Sequence, residues 1–206
     1  MGRHGHLLVI AVTLSIAYGS LGCLEYRIDE NNDIPAIAGT VQTSFGVDFT
    51  CGDTVGDEPH TVTTKEVAGG CEIVFKDEYT LLTAQDYESI SSLQSASNLL
   101  RRFELEVRKL SFIDDNSNEP MDLQTQFTSL VVQLNGQRLF DRSLLVKLPT
   151  TITLTGQIVR DTKKLMAQKQ PVVYPMRFVA VIPDTTALPE KLRIEYQMQP
   201  AIIVGP

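Results

Sequence analysis

The chain has 206 residues, with 18 Lys and Arg against 25 Asp and Glu, for a formal net charge of −7. That balance excludes a protein that works by displacing phosphate counterions, because nucleic-acid binding needs a basic face. Hydrophobic residues at 43% beside 21% charged residues describe a folded globular chain rather than a disordered one, of a length that predicts one domain. The three cysteines form an odd count, awkward in an oxidising compartment where thiols pair.

The first segment reads as an export signal. Arg3 supplies a positive charge, Leu7 to Ala17 is an unbroken run of apolar and small residues, and Gly19, Ser20 and Gly22 follow. A basic start, a short apolar run and small residues near a cleavage site define a secretory signal. The run is shorter than the roughly 20 residues that a helix needs to cross a hydrocarbon core. No later stretch approaches that length, which excludes a chain that crosses a membrane several times as helices.

Ser20-Leu21-Gly22-Cys23 resembles the lipobox of bacterial lipoproteins, in which an aliphatic residue, a small residue and Gly or Ala precede the lipidated cysteine. Gly22 and Cys23 match, while Ser20 and Leu21 exchange the small and aliphatic positions. The resemblance covers residues 1–23 only. It implies a signal peptide of residues 1–22, a covalent lipid on Cys23 and a membrane partner reached through that lipid. Leu24 follows the cysteine; in the family's sorting rule Asp at that place retains the protein in the inner membrane, so Leu24 implies the outer membrane. Two alternatives stand beside it. Ala17-Tyr18-Gly19 offers a small-x-small pattern for ordinary cleavage after Gly19, giving a secreted or periplasmic protein with Cys23 as a thiol, or the segment stays uncleaved as an anchor. Removal of residues 1–22 takes away Arg3 and no acid, moving the net charge from −7 to −8.

With Cys23 assigned to the lipid, Cys51 and Cys71 remain, and two cysteines can close a disulfide. The alternative is a metal site. Zinc takes a tetrahedral set of Cys, His and carboxylate ligands, and His60 is the one histidine left after residue 22, so such a site would have to recruit acids.

Residues 23–38 are read as the lipidated N-terminus and a tether of acids and Asn with room for one short strand; residues 39–206 are read as a single domain. Gly39 to Thr50 alternates in its second half. Cys71 to Phe75 continues towards Tyr79 to Leu82. A helix is predicted over about 85–102, from Tyr87, Ile90, Leu93, Ala96 and Leu100, which recur at helical spacing, with Arg101-Arg102 where the helix dipole favours cations. Phe103 to Val107 alternates apolar with charged residues; Arg108-Lys109 shift the phase before Leu110-Ser-Phe112, which predicts a β-bulge. Phe127 to Leu134 and Gln137 to Phe140 flank Asn135-Gly136, the strongest short hairpin signal. Thr150 to Thr155 is rich in β-branched residues, and Gln157 to Gln168 reads as a second, weaker helix. Val172 to Ile182 reads as a central strand buried on both faces, with Pro171 and Pro175 at its start. Leu192 to Met198 alternates, so Leu192, Ile194 and Tyr196 should be buried and Arg193, Glu195 and Gln197 should not. Together these predict a mainly antiparallel β-sandwich of eight or nine strands with one packed helix.

Chemistry-bearing patterns are sparse. His60 lies among Asp, Gly, Glu and Pro, the composition of a solvated loop rather than of a nucleophile's base. There is no G-x-S-x-G elbow and no H-E-x-x-H, and Gly69-Gly70 reads as a turn before Cys71. Paired carboxylates could hydrolyse glycosides, but no pair is singled out and the chain has no tryptophan to act as a sugar platform. Asp114, Asp115, Asn116, Asn118 and Glu119 could supply part of the roughly six to eight oxygens that calcium takes. Asp and Asn equally serve turns through bonds to their own backbone; Asp29 to Asp33 reads the same way. A carrier of lipid or a small hydrophobic ligand would need a hollow interior of a few hundred Å³. The reading that remains is a lipid-anchored envelope protein, not an enzyme, without a cofactor, that binds or supports another envelope component. The carrier and the carboxylate-based hydrolase stand as alternatives.

Overall fold

Period-two patterning dominates the chain, and the backbone follows it. The computed structural model describes residues 25–29, 34–45, 49–55, 61–90, 93–122, 125–141, 147–183 and 188–205. Over these the strands are β1 (Tyr26–Ile28), β2 (Ile37–Ser44), β3 (Thr54–Val55), β4 (Val62–Val67), β5 (Gly70–Leu82), β6 (Leu100–Asp114), β7 (Glu119–Pro120), β8 (Ser129–Leu134), β9 (Gln137–Asp141), β10 (Thr150–Leu154), β11 (Val172–Ile182) and β12 (Lys191–Val204). The helices are α1 (Asp86–Ser89), α2 (Leu93–Leu99) and α3 (Gln157–Ala167).

They build two six-stranded antiparallel sheets. In the first, β12 is central: β6 pairs with one edge, while β2 and then β1 share the other; β10 and the short β7 extend from β6. The second runs β3-β4-β5-β11-β8-β9. The sheets face one another across a core of rings. Phe112 on β6 meets Phe75 of β5 at 6.1 Å and Phe178 of β11 at 6.5 Å, both edge-on, and Phe178 meets Tyr196 of β12 at 5.7 Å. Edge-to-face packing places the positive rim of one ring against the negative face of the next. One polar bond also crosses: the Tyr196 hydroxyl donates to Asp77 Oδ2 on β5 at 2.7 Å. Tyr196 stands opposite Gly39 of β2, and a Cβ at residue 39 would fall 2.1 Å from its ring. Only glycine lets the ring lie there.

Several expectations are met in detail. Leu192, Ile194 and Tyr196 are buried, while Arg193, Glu195 and Gln197 keep partial exposure. Lys109 pairs with Gln197 and Val107 with Met198, which leaves Arg108 as the bulged residue. Asn135 and Gly136 take φ of 49° and 76°, and Leu134 pairs with Gln137 across them, as a tight primed turn requires.

Others are corrected. Twelve strands and three helices are described, against eight or nine and one. The surplus strands are short: β3 and β7 have two residues each, too few to carry any period. The helix expected over about 85–102 is two pieces, separated where Ile90 turns extended (φ −106°, ψ 91°). Its apolar spacing was real, since Tyr87, Ile90, Leu93, Ala96 and Leu100 are all buried. Leu100 to Arg102, however, belong to β6 and pair with Val204 and Ile203. The weaker helix signal is the longest helix, α3, whose inner face includes Thr162; that hydroxyl donates to the Ile158 carbonyl at 2.7 Å and lies 2.5 Å from the Tyr174 hydroxyl. On β11 one face is buried from Val172 to Ile182, but Val173, Pro175 and Arg177 are exposed, so the strand is not buried on both sides. Pro175 sits inside it. Its carbonyl accepts from Asn135 N–H at 2.8 Å, past the last β8 pair at Met176 and Leu134, so the missing N–H breaks no ladder.

Phe112 is fully buried and packs its ring against Phe75 and Phe178 of the second sheet and against Phe127 just before β8. Phe112→Ala is expected to lower unfolding free energy by about 3–5 kcal/mol, read by urea denaturation, whereas Arg177→Ala on the exposed face of β11 should change it little.

Candidate functional site

Cys51 and Cys71 form a disulfide, with Cα atoms 5.8 Å apart. It ties the turn before β3 to the start of β5. The turn is further held by Asp53, whose Oδ2 accepts from the Thr50 N–H and hydroxyl at 3.0 and 2.9 Å. Thr64 on β4 accepts from Gly52 N–H and donates to the Asp53 carbonyl. Both thiols are consumed, so neither is available as a metal ligand. Cys23 and His60, like the whole of residues 1–24, lie outside the described residues.

The five calcium candidates occupy the turn from β6 to β7. Asp114 Oδ1 accepts from Asn116 N–H and Oδ2 from the Ser117 hydroxyl, both at 2.9 Å. These bonds hold the Asp114 carboxyl below its ordinary pKa. Asp115 bonds the Arg193 guanidinium from β12, and Asn118 Oδ1 accepts from the same group at 2.6 Å. Asn118 takes a left-handed backbone (φ 58°), and Glu119 is exposed as β7 begins. The oxygens thus serve the turn and a fixed cation. Among the described residues no group of three His, Cys, Asp or Glu is placed to hold a metal ion.

Arg193 continues into a line of ion pairs on the outer face of the first sheet. Its Nε lies 3.0 Å from Glu195, which also takes the Lys109 ammonium at 2.6 Å; that hydrogen bond lowers the Glu195 pKa. Further along, Arg102 pairs with Glu25 at 2.6 Å and with Glu104 at 3.2 Å, and Arg27 with Asp29 at 2.5 Å and with Glu104. Such partly exposed pairs each add little stability. The carboxyls that depart from ordinary pKa values among the described residues, Glu25, Asp114 and Glu195, are all lowered. A carboxylate hydrolase needs one raised to act as the acid.

The interior holds a cavity of about 10 Å³ lined by Tyr79, Phe103, Leu105, Ile158, Tyr174 and neighbours. The Tyr79 hydroxyl there has no hydrogen-bond partner, and burial pushes its pKa far up. This volume accommodates at most one water, not a lipid. A larger depression of about 330 Å³, lined by Gln42, Thr43, Ser44, Asp115 and Lys191, is open and polar.

One arrangement escaped the sequence reading. Tyr26 of β1 is 53% exposed and Leu99, ending α2, is 46% exposed. Tyr26 pairs with Val204, Val204 with Leu100, and Gly205 N–H donates to the Leu99 carbonyl at 2.9 Å. Both residues therefore mark the same end of the two-sheet domain, the end from which the chain leads back to Cys23. No local signal marked Leu99, because adjacent apolar residues can share one helix face, as Ile158 and Val159 do on α3. Comparison with protein-family models, curated proteins and solved structures finds no match for this chain.

Two outcomes follow from this geometry. The double variant Cys51→Ala/Cys71→Ala should lose about 3 kcal/mol of unfolding free energy on a loop of this length, read by denaturant titration. Millimolar calcium should leave the melting temperature of the protein unchanged, because the Asp114, Asp115 and Asn118 oxygens are already bonded to the turn and to Arg193; a rise of several degrees would show that the acidic turn takes the ion.

Proposed function

We propose that this chain is a lipid-anchored protein of the bacterial cell envelope, held by a covalent lipid on Cys23 in the outer membrane, whose β-sandwich domain with its packed helices binds or supports another envelope component without catalysing a reaction. The observation that carries this reading is the Cys51–Cys71 disulfide. It uses two of the three cysteines and leaves Cys23 as the one free for acylation. A disulfide in a chain of this kind also fits an oxidising compartment, which agrees with the export signal of residues 1–22. The short apolar run, Gly22 and Leu24 supply the rest, by resemblance to bacterial lipoproteins.

The tether of the proposed anchor is short. β1 begins at Tyr26, and Ile28 and Ile34 are buried, so the chain joins the first sheet three residues after Cys23. The non-enzymatic part of the reading is supported by the lowered carboxyls and by loop acids committed to turns and to Arg193, and the cavity lined by Tyr79 and Phe103, at about 10 Å³, is too small for a lipid.

The test is membrane fractionation of cells producing the wild-type chain or Cys23→Ser. The wild type is expected in the membrane fraction with a lipidated N-terminal peptide by mass spectrometry, and Cys23→Ser in the soluble fraction. Affinity capture from detergent-solubilised membranes then names the partner. A Cys23→Ser form that remains fully membrane-bound, with an unlipidated wild-type peptide, rejects the anchor.

A further inference from the structure

We infer that the end of the domain bearing Tyr26 and Leu99 is a membrane-docking face, which seats those two side chains in the headgroup–acyl boundary of a bilayer. The inference rests on the lipid-anchored reading and adds to it the orientation of the domain. Four observations carry it.

The first is placement. β12 runs towards this end and β1 runs away from it, so the chain before Tyr26 leaves from here. Cys23 precedes Tyr26 by three residues, at most about 11 Å of extended chain. A lipid on Cys23 therefore brings this end, and no other, to the bilayer surface.

The second is the distribution of exposed apolar groups. The large hydrophobic side chains exposed among the described residues are Tyr26, Leu99 and Val173. Tyr26 and Leu100 are two strand spacings apart, about 10 Å, with Leu99 adjoining. Val173 precedes Tyr174, which shares the small cavity with Phe103 and Pro200, so it belongs to the same end. The opposite end holds the Asp114–Glu119 turn, Lys191 and the Cys51–Cys71 bridge, about 40 Å away along β12. A Tyr beside a Leu, with arginines able to reach outward, is the side-chain set that interfacial proteins place at headgroup level.

The third is charge. Around this end Arg27, Arg101 and Arg102 stand against Glu25, Asp29 and Glu104, with ion pairs linking Arg27 and Arg102 to all three acids, and the Arg101 Nε donates to the Gly205 carbonyl at 3.2 Å. Three cations balance three anions, although the chain as a whole is at −7. The acidic excess of the chain therefore lies outside this group of six, and an anionic membrane meets no net negative charge in it.

The fourth is the way the end is braced. Gly205 is bonded to both Leu99 and Arg101, and Tyr26 and Leu100 are both registered on Val204. Tyr26 is presented by a paired strand and Leu99 by a helix end bonded to Gly205, not by a loose loop.

The chain lacks tryptophan and its disulfide leaves Cys23 as the sole thiol, so a clean test is available. The full chain is coupled through Cys23 to phosphatidylcholine vesicles that carry a maleimide headgroup lipid, with or without phosphatidylcholine brominated high in the acyl chains. Leu99→Trp fluorescence is expected to fall about two-fold on bromination, because side chains at the headgroup–acyl boundary reach the shallow bromines. Asn116→Trp at the opposite end should be unaffected, and adding Tyr26→Ser to Leu99→Trp should return most of the lost signal. Asn98→Trp, exposed beside Leu99, gives the same reading if Leu99→Trp fails to fold. Quenching no greater at Leu99 and Asn98 than at Asn116, or quenching indifferent to Tyr26→Ser, overturns the docking face. The coupling is chemical, so this result does not depend on natural acylation of Cys23; the mass of the native N-terminal peptide decides that separately.

Discussion

The register of β12 against β6 is the constraint on which the rest depends. The two strands pair from Leu192 to Val204, and that pairing aims Phe112 and Tyr196 at the second sheet. Tyr196 opposite Leu110 and Ile194 opposite Phe112 point towards β5 and β11, where Phe75, Phe178 and Asp77 receive them. A slip of one residue would turn this set outward and bring Arg193 and Glu195 into the core. The bulge at Arg108 absorbs one of two register shifts between β6 and β12, the other lying at Arg101, so that Val107 and Leu110 both remain inside. The other edge of β12 is divided between β2 and β1, and the buried Gln199 spans the gap: its amide donates to the Ile34 carbonyl at 2.9 Å in the segment between them. The core and the N-terminal end are thus fixed by one strand.

How far this was legible in the sequence depends on how local the cause is. The alternation of Leu192 to Met198, the phase shift at Arg108 and the Asn135-Gly136 turn are properties of a few adjacent residues, and they read correctly. The division of the helix did not, because Leu100 satisfies a helical spacing and a strand pairing equally well. Only Val204, far along the chain, decides between them. Likewise Thr162 carries no apolar signal, yet it is buried. Its place in the core depends on Tyr174 of β11, which no window over α3 contains. β3 and β7 are shorter than any period.

The same distinction separates the readings of the site. The Cys51–Cys71 bridge followed from counting, which needs no geometry. The acidic turn invited a cation, and a cation is there, but it is Arg193, 78 positions from Asp115. The residues that mark the N-terminal end were hidden for a related reason. Tyr26 sits in a stretch whose acids and asparagines outweigh it, and Leu99 sits in a periodic run where apolar residues are expected to be inside. Exposure is a property of the assembled fold.

A lipid on Cys23 changes what such a small apolar pair can do. Two side chains in a bilayer interface bind too weakly to hold a free protein there. Linked to a chain already held in the same membrane, the second contact becomes intramolecular, with an effective concentration in the millimolar range for a short connection. The linkage is three residues from Cys23 to Tyr26, so little conformational freedom remains to be lost when Tyr26 and Leu99 engage. On the proposed reading the anchor supplies the energy of attachment, and β1 turns it into an orientation. The acidic turn, Arg193 and the disulfide-braced loop then face away from the bilayer. That is the surface the domain then has left to offer a partner.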